Sequence, residues 1–312
     1  MSAEPAVLPD ERYHRVTVPV RGGDLMVGVW EAQADTLSTS PGGVQRSVLA
    51  VHGITSSHLA WPAVAAALPD VRIIAPDLRG RGRSRDLPGP YGMPTHADDC
   101  AAVLDHLGVD RVVAVGHSMG AFVCLVLADR HGARVSSLVL IDGGMPLLPP
   151  AGIAPEELAD AVLTPVSQRL ERTFPSRTAY RDYWLAHPAI GPWWSELTAA
   201  YVDYDLVGVE PELRSATRVE ALEEDTRELV DGESVSGALQ RLTHPTSWLL
   251  APRGLMDEVP PLYPPAAREH WRAQHPQVEV GEIEDVNHYT AVMAPDGAAQ
   301  LEPWIRRALA DR

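Results

Sequence analysis

"VAVGHSMGAF", residues 113–122, is an apolar run that stops at Gly116 and resumes after Gly120, with Ser118 between them. Two readings compete. In one, Ser118 is a polar residue of an ordinary glycine turn and caps the helix that follows. In the other, the chain turns sharply from strand to helix, lifts the Ser118 hydroxyl clear of the backbone, and uses the two glycines to keep side chains out of the turn. The flanks favour the second. "RVVAVG" is a short apolar run suited to a strand buried on both faces, and "GAFVCLVLADRHG" has the length and composition of a buried helix. A serine at that junction sits at the carboxyl end of its strand, where ligands gather in open α/β sheets.

The same alternation recurs on both sides of this stretch. Two extended stretches, 13–21 and 25–33, read as a hairpin joined at Gly22-Gly23, and a polar loop follows at 36–43. "SVLAVHG" (47–53) and "VRIIAPDL" (71–78) read as buried strands, "HLAWPAVAAAL" and 95–107 as helices, and "VSSLVLIDGG" as the strand after the helix that follows Ser118. Strictly alternating strands and helices imply right-handed crossovers and a parallel sheet covered by helices, an α/β class. The pattern breaks after Gly144. Residues 145–235 carry helical pieces, many prolines and clustered aromatics but no convincing strand, and alternation then returns through "TSWLLAPRG", 264–275, "VEVGEIEDV" and a helix near 295–310. The expected division is a core of 1–144 and 236–312 interrupted by a helical cap at 145–235.

Composition narrows the chemistry. The chain has 312 residues and a formal charge of −16, which repels nucleic acid and anionic membranes, so neither is expected as a partner. Every basic residue is arginine. Without lysine there is no Schiff-base or pyridoxal-phosphate site and no Walker-type phosphate loop. Cys100 and Cys124 both fall in apolar helical patterns and read as buried, unpaired thiols. No basic-then-apolar leader opens the sequence and no run approaches a membrane span, so a cytoplasmic location is the expectation.

A serine nucleophile needs a base, an orienting carboxylate and an oxyanion site. His288, in "EDVNHYTAV" after the last strand, is the expected base. His117, next to the nucleophile, is expected to pack or hydrogen-bond locally. Asp257, in "LLAPRGLMDE" past the penultimate strand, is the expected carboxylate, because the order Ser118, Asp257, His288 suits a nucleophile-elbow enzyme. Asp142, at the end of the strand after the nucleophile helix, is its main rival, with Asp285 and Glu258 close by. The backbone N–H groups of Met119, at a helix start, and Ile54, in the loop after "SVLAVHG", are the expected oxyanion donors. No metal and no cofactor are called for.

The motifs "VHGITSS" (51–57), "APDLRGRGRS" (75–84), "GHSMG" (116–120), "RGLMD" (253–257) and "NHYT" (287–290) together resemble the α/β-hydrolase-fold serine hydrolases. The resemblance implies a mostly parallel eight-stranded sheet with helices on both faces, and a helical cap inserted after the sixth strand. Dehalogenases and epoxide hydrolases of this resemblance carry Asp where Ser118 stands, which argues against both. The "D-x-R-G-x-G-x-S" loop matches Asp77, Arg79, Gly80, Gly82 and Ser84 and reads as structural. Eight of the aromatic residues lie between Phe174 and Tyr204. Of these, Tyr183, Trp184, Trp193 and Trp194, with Trp61, Met145 and Tyr289 from active-site loops, are the expected pocket wall. The expected reaction is hydrolysis of a hydrophobic carboxylic ester or lactone by a monomer or homodimer. A thioesterase, amidase or carbon–carbon bond hydrolase uses the same residues, and a ligand receptor that kept the fold is the rival of another class.

Overall fold

A computed structural model describes residues 10–33, 46–148 and 166–310. The loop expected at 36–43 and the first residues of the chain lie outside them. The main sheet has eight strands, in the order β1 (Tyr13–Val20), β2 (Gly23–Trp30), β4 (Arg72–Pro76), β3 (Ser47–Val51), β5 (Val112–His117), β6 (Val135–Ile141), β9 (Thr246–Leu250) and β10 (Val278–Glu282). The hairpin β1–β2 joins β4 antiparallel, and all other pairings are parallel. The parallel strands β3, β5, β6 and β9 are buried along their whole length, as apolar runs without polar alternation require.

Side chains of successive strand residues leave opposite faces of the sheet, and two cores result. On one face Leu49, Val51, Ile74 and Ala114 pack with the helices Met93–His106 and Met119–Arg130. On the other, Val48, Ala50, Ile73 and Val115 pack with Pro62–Ala67 and Pro295–Ala310. Cys100 and Cys124 are buried free thiols in the first core, as expected from their patterns.

Between Ile141 and Thr246 the chain leaves the sheet. It forms the helices Arg177–Leu185, Glu196–Tyr204, Val219–Asp231 and Glu233–Gln240, and a small antiparallel ribbon, β7 (Leu206–Val207) with β8 (Arg214–Ser215). That ribbon is too short to leave a strand pattern in the sequence. Glu233–Gln240 buries Val235, Ala238 and Leu239 in the core beside Met119–Arg130, so this helix covers the sheet although its first residues precede position 236. The inserted segment is seated by polar contacts. Tyr204 donates its hydroxyl to Asp77 Oδ2 (2.6 Å), and Tyr91 and Gly92 donate their amides to Glu224 (3.0 Å) and Asp225 (2.6 Å).

Candidate active site

Ser118 sits between β5 and the helix Met119–Arg130 with φ 53° and ψ −125°, a conformation that costs a non-glycine residue about 1–3 kcal/mol. Its surroundings hold it there. The Ser118 amide donates to Ile141 O at 2.9 Å, and its carbonyl accepts from Ala121 N at 3.0 Å. Backbone approaches so closely that a Cβ on Gly120 would overlap Val51 O, and one on Gly143 would overlap Ser118 O. Gly120 is thus required by its close approach to β3, Gly116 by the backbone of Gly120 and Ala121 at the start of the helix, and Gly143 by the elbow itself.

His288 is buried in the loop after β10, and its amide is held by Arg253 O at 3.0 Å. Its Nδ1 donates to Asp142 Oδ2 at 2.7 Å, which leaves Nε2 as the free ring nitrogen. Asp142 directly follows β6 and has no solvent exposure. Its amide donates to Leu249 O (2.7 Å) and its Oδ1 accepts from Ala251 N (3.3 Å), so the carboxylate is fixed at both ends of the residue.

The expected carboxylate, Asp257, is elsewhere. It is about one-third exposed, its Oδ1 pairs with Arg253 Nε at 2.8 Å, and it accepts from Asn287 Nδ2 at 3.0 Å. It braces the residues that flank His288 and does not touch the ring. The physical reason is reach. Asp142 emerges directly from the end of β6, beside the elbow, whereas Asp257 follows the end of β9 by several residues and is spent on the loop's own arginine. Sequence order could not separate them, because both fall between Ser118 and His288.

His117 donates from Nε2 to the His288 carbonyl at 2.7 Å, and the two rings lie 4.7 Å apart. Burial, with His288 alongside, keeps its pKa well below the ordinary histidine value, so it is a neutral donor. The local role expected for it is what the geometry gives.

Ser118, His288, Asp142, Ile54 and Met119 line one cleft. Met119 opens its helix, where an amide has no intrahelical acceptor. Apart from Thr55, Ser56 and His117 the remaining wall is mostly apolar or aromatic, with Phe122, Tyr201, Leu229, Tyr263 and Tyr289 among it. Of the pocket residues expected from sequence, only Tyr289 is there. Trp61 is wholly buried beneath the sheet's second face, and Met145 is buried with its carbonyl taken by the Tyr263 hydroxyl. Tyr183 and Trp184 pack among the inserted segment's own aromatics, Trp184 under Arg169 at 5.0 Å. Trp193 is 40% exposed and Trp194 packs at the edge of the core. Aromatic density in the sequence marked mainly this segment's internal packing, although Tyr201, from the same cluster, does reach the cleft. Phe122 and Tyr263 lie in the core segments outside it, and nothing in their spacing announced a cleft.

No group of three metal-ligating side chains occurs among the described residues, and no described helix is long and apolar enough to cross a membrane.

Comparison with known proteins agrees with the architecture. Residues 46–185 match the family model described as alpha/beta hydrolase fold. A lipase of Mycobacterium tuberculosis, LipV, is 39% identical over 123 residues, 39% of this chain and 45% of the lipase. A non-heme haloperoxidase of Rhodococcus erythropolis is 39% identical over 119 residues, 37% of this chain and 43% of that protein. The matched stretch is therefore less than half the length of either relative. Among solved structures, E-2-(acetamidomethylene)succinate hydrolase superposes with a TM-score of 0.74 at 21% identity, covering 95% of this chain and 99% of that one. At that identity the likeness concerns the fold.

Proposed function

We propose that this chain, a member of the alpha/beta hydrolase fold family, is a serine hydrolase that cleaves hydrophobic carboxylic esters or lactones through an acyl-enzyme. The observation that carries the reading is the 2.7 Å bond from His288 Nδ1 to the buried Asp142 carboxylate, in the same cleft as Ser118 on its strained turn.

In this reading Ser118 Oγ attacks the substrate carbonyl while His288 Nε2 takes its proton. Asp142 fixes the tautomer that leaves Nε2 free and stabilises the imidazolium. The N–H groups of Ile54 and Met119 receive the tetrahedral oxyanion, where preorganised donors in a water-poor site act most strongly. The imidazolium then gives its proton to the leaving alkoxide. Water, deprotonated by His288, attacks the acyl-enzyme, and the acid departs with Ser118 restored. The inserted segment 145–235 acts as the cap that supplies Tyr201 and Leu229 to the acyl wall. No arginine is among the described residues lining the cleft, which favours a neutral acyl group over a carboxylate-bearing one.

The test is turnover of p-nitrophenyl esters of graded acyl length by wild type and Ser118→Ala. Saturable hydrolysis that Ser118→Ala abolishes is expected. A wild-type protein that hydrolyses none of them, or a Ser118→Ala variant of undiminished rate, would overturn the proposal.

A further inference from the structure

Arg81, in the glycine-rich loop "DLRGRGRS", has no solvent exposure yet contacts four separate parts of the chain. Its Nε donates to Ile54 O at 2.8 Å and its Nη1 to Arg79 O at 2.9 Å. Its Nη2 pairs with Asp225 Oδ2 at 2.6 Å and lies 3.4 Å from Ala221 O and 3.9 Å from Met119 Sδ. Ile54 and Met119 carry the two amides assigned above to the oxyanion. Ala221 and Asp225 belong to the helix Val219–Asp231, which also brings Leu229 to the cleft wall.

The neighbouring arginines do other work. Arg79 is engaged by Asp99 and by Pro88 O, and Arg83 lies over the Tyr204 ring. Neither reaches the oxyanion loop.

Peptide planarity shows what Arg81 controls. The plane that carries the Ile54 N–H also carries Gly53 O, which accepts from His52 Nδ1 at 2.7 Å and from Ser56 N at 3.2 Å. The next plane carries Ile54 O, which Arg81 holds. With both planes anchored, the Ile54 backbone has one orientation, and its N–H one direction. Asp225 in turn keeps the guanidinium in place, since its carboxylate also accepts from Gly92 N (2.6 Å) and His96 Nε2 (3.0 Å). A buried guanidinium is costly to desolvate, and its planar fork serves where several acceptors must be held in fixed relation.

We propose that Arg81 is a positioning residue that sets the Ile54 amide for the oxyanion and ties that amide to the seating of helix Val219–Asp231. The proposal rests on the acyl-enzyme reading above. It requires that loss of Arg81 weaken transition-state binding more than substrate binding.

The experiment compares wild type, Ser118→Ala, Arg81→Met and Arg81→Lys in hydrolysis of p-nitrophenyl butyrate. It also measures inhibition by an alkyl trifluoromethyl ketone, which Ser118 converts to a hemiketal with its oxyanion in the site. Arg81→Met is expected to lower kcat about 10- to 100-fold, the scale of a small misplacement in a reacting geometry. Its KM should change by less than about threefold, and ketone affinity should fall with kcat. Arg81→Lys, which keeps a charge opposite Asp225 but loses the fork, is expected to fall between. Unchanged kcat and ketone affinity, or a loss confined to KM, would overturn the proposal. If Arg81→Met does not fold, Arg81→Lys decides by the same two readouts. Absence of Ser118-dependent turnover in wild type would instead overturn the underlying reading.

Discussion

Replacing Asp142 by asparagine exchanges one oxygen for an NH2 group at the centre of the site, and the structure gives the outcome in some detail. Oδ1 already accepts from Ala251 N at 3.3 Å, so the new carboxamide keeps its oxygen there and turns its NH2 toward His288 Nδ1. A donor facing Nδ1 forces that nitrogen to be the acceptor. The ring proton then moves to Nε2, and the base presents a proton to Ser118 where it should present a lone pair. Loss of the correct tautomer with geometry otherwise kept costs on the order of 10³- to 10⁴-fold in kcat. Asp257→Asn is the matched control. It weakens a part-exposed pair with Arg253 that is worth at most about 1 kcal/mol, and it leaves an oxygen to accept from Asn287. Its activity should stay within about threefold of wild type. The assay is kcat/KM on p-nitrophenyl butyrate, with thermal melting to show both variants folded. A folded Asp257→Asn with the larger loss, or a folded Asp142→Asn that keeps most of its activity, would show that Asp142 does not orient His288.

Other perturbations have equally definite outcomes. Gly120→Ala drives a methyl group into Val51 O, and overpacking of this kind should cost about 1–3 kcal/mol in urea unfolding and lower kcat with it. Arg169→Met leaves the Asp205 carboxylate, which also holds Tyr180 and Ser215, buried without its cation, and a loss of about 3–5 kcal/mol is expected by the same method. Trp193→Ala should not change acyl-length preference, because Trp193 is outside the cleft, whereas Tyr289→Ala should shift it toward bulkier esters in the p-nitrophenyl panel. Asp225 supplies a pH test. Burial raises its pKa, but His96 and Arg81 outweigh that and hold it down at about 2, against 3.8 unperturbed. A depressed carboxylate stabilises the fold above the unfolded value and loses that contribution as pH falls through the folded one. Between about pH 4 and pH 2, wild type should lose stability more steeply than Asp225→Asn in urea titrations, and parallel slopes would count against the network.

Much of the architecture was legible because it rests on short-range signals. Short, Val-rich apolar runs such as "SVLAV" and "VVAVG" suit strands covered on both faces, and the glycines around Ser118 betray a turn crowded by backbone. The chain alternates between these signals often enough to imply the parallel sheet and to mark where it is interrupted. Ser118 and His288 were singled out in the same way, each at the carboxyl end of a strand, and the structure brings them to one cleft.

Which carboxylate meets His288 was not legible. Asp142 and Asp257 are both acidic, both near the carboxyl ends of strands adjacent in the sheet, and both between Ser118 and His288 in sequence. What separates them is how far each lies beyond its strand and whether Arg253 is near enough to claim it, which are facts of three-dimensional distance. The pocket was misread for a related reason. Trp184 and Tyr183 are conspicuous in composition, but large rings are also the material with which a small helical segment builds its own packing, Trp184 under Arg169 and Tyr183 under Arg172. Arg81 was hidden inside a motif that explains itself structurally, and its bonds to the Ile54 carbonyl and to Asp225 set it apart from Arg79 and Arg83.

In the proposed mechanism Ser118 is the nucleophile and His288 is its base. Peptide mapping by mass spectrometry after reaction with an alkyl fluorophosphonate tests it directly. A single adduct on Ser118 in wild type is predicted, absent in Ser118→Ala and formed far more slowly in Asp142→Asn than in Asp257→Asn. A wild-type protein that stays unmodified, or that carries its adduct on another residue, would contradict it.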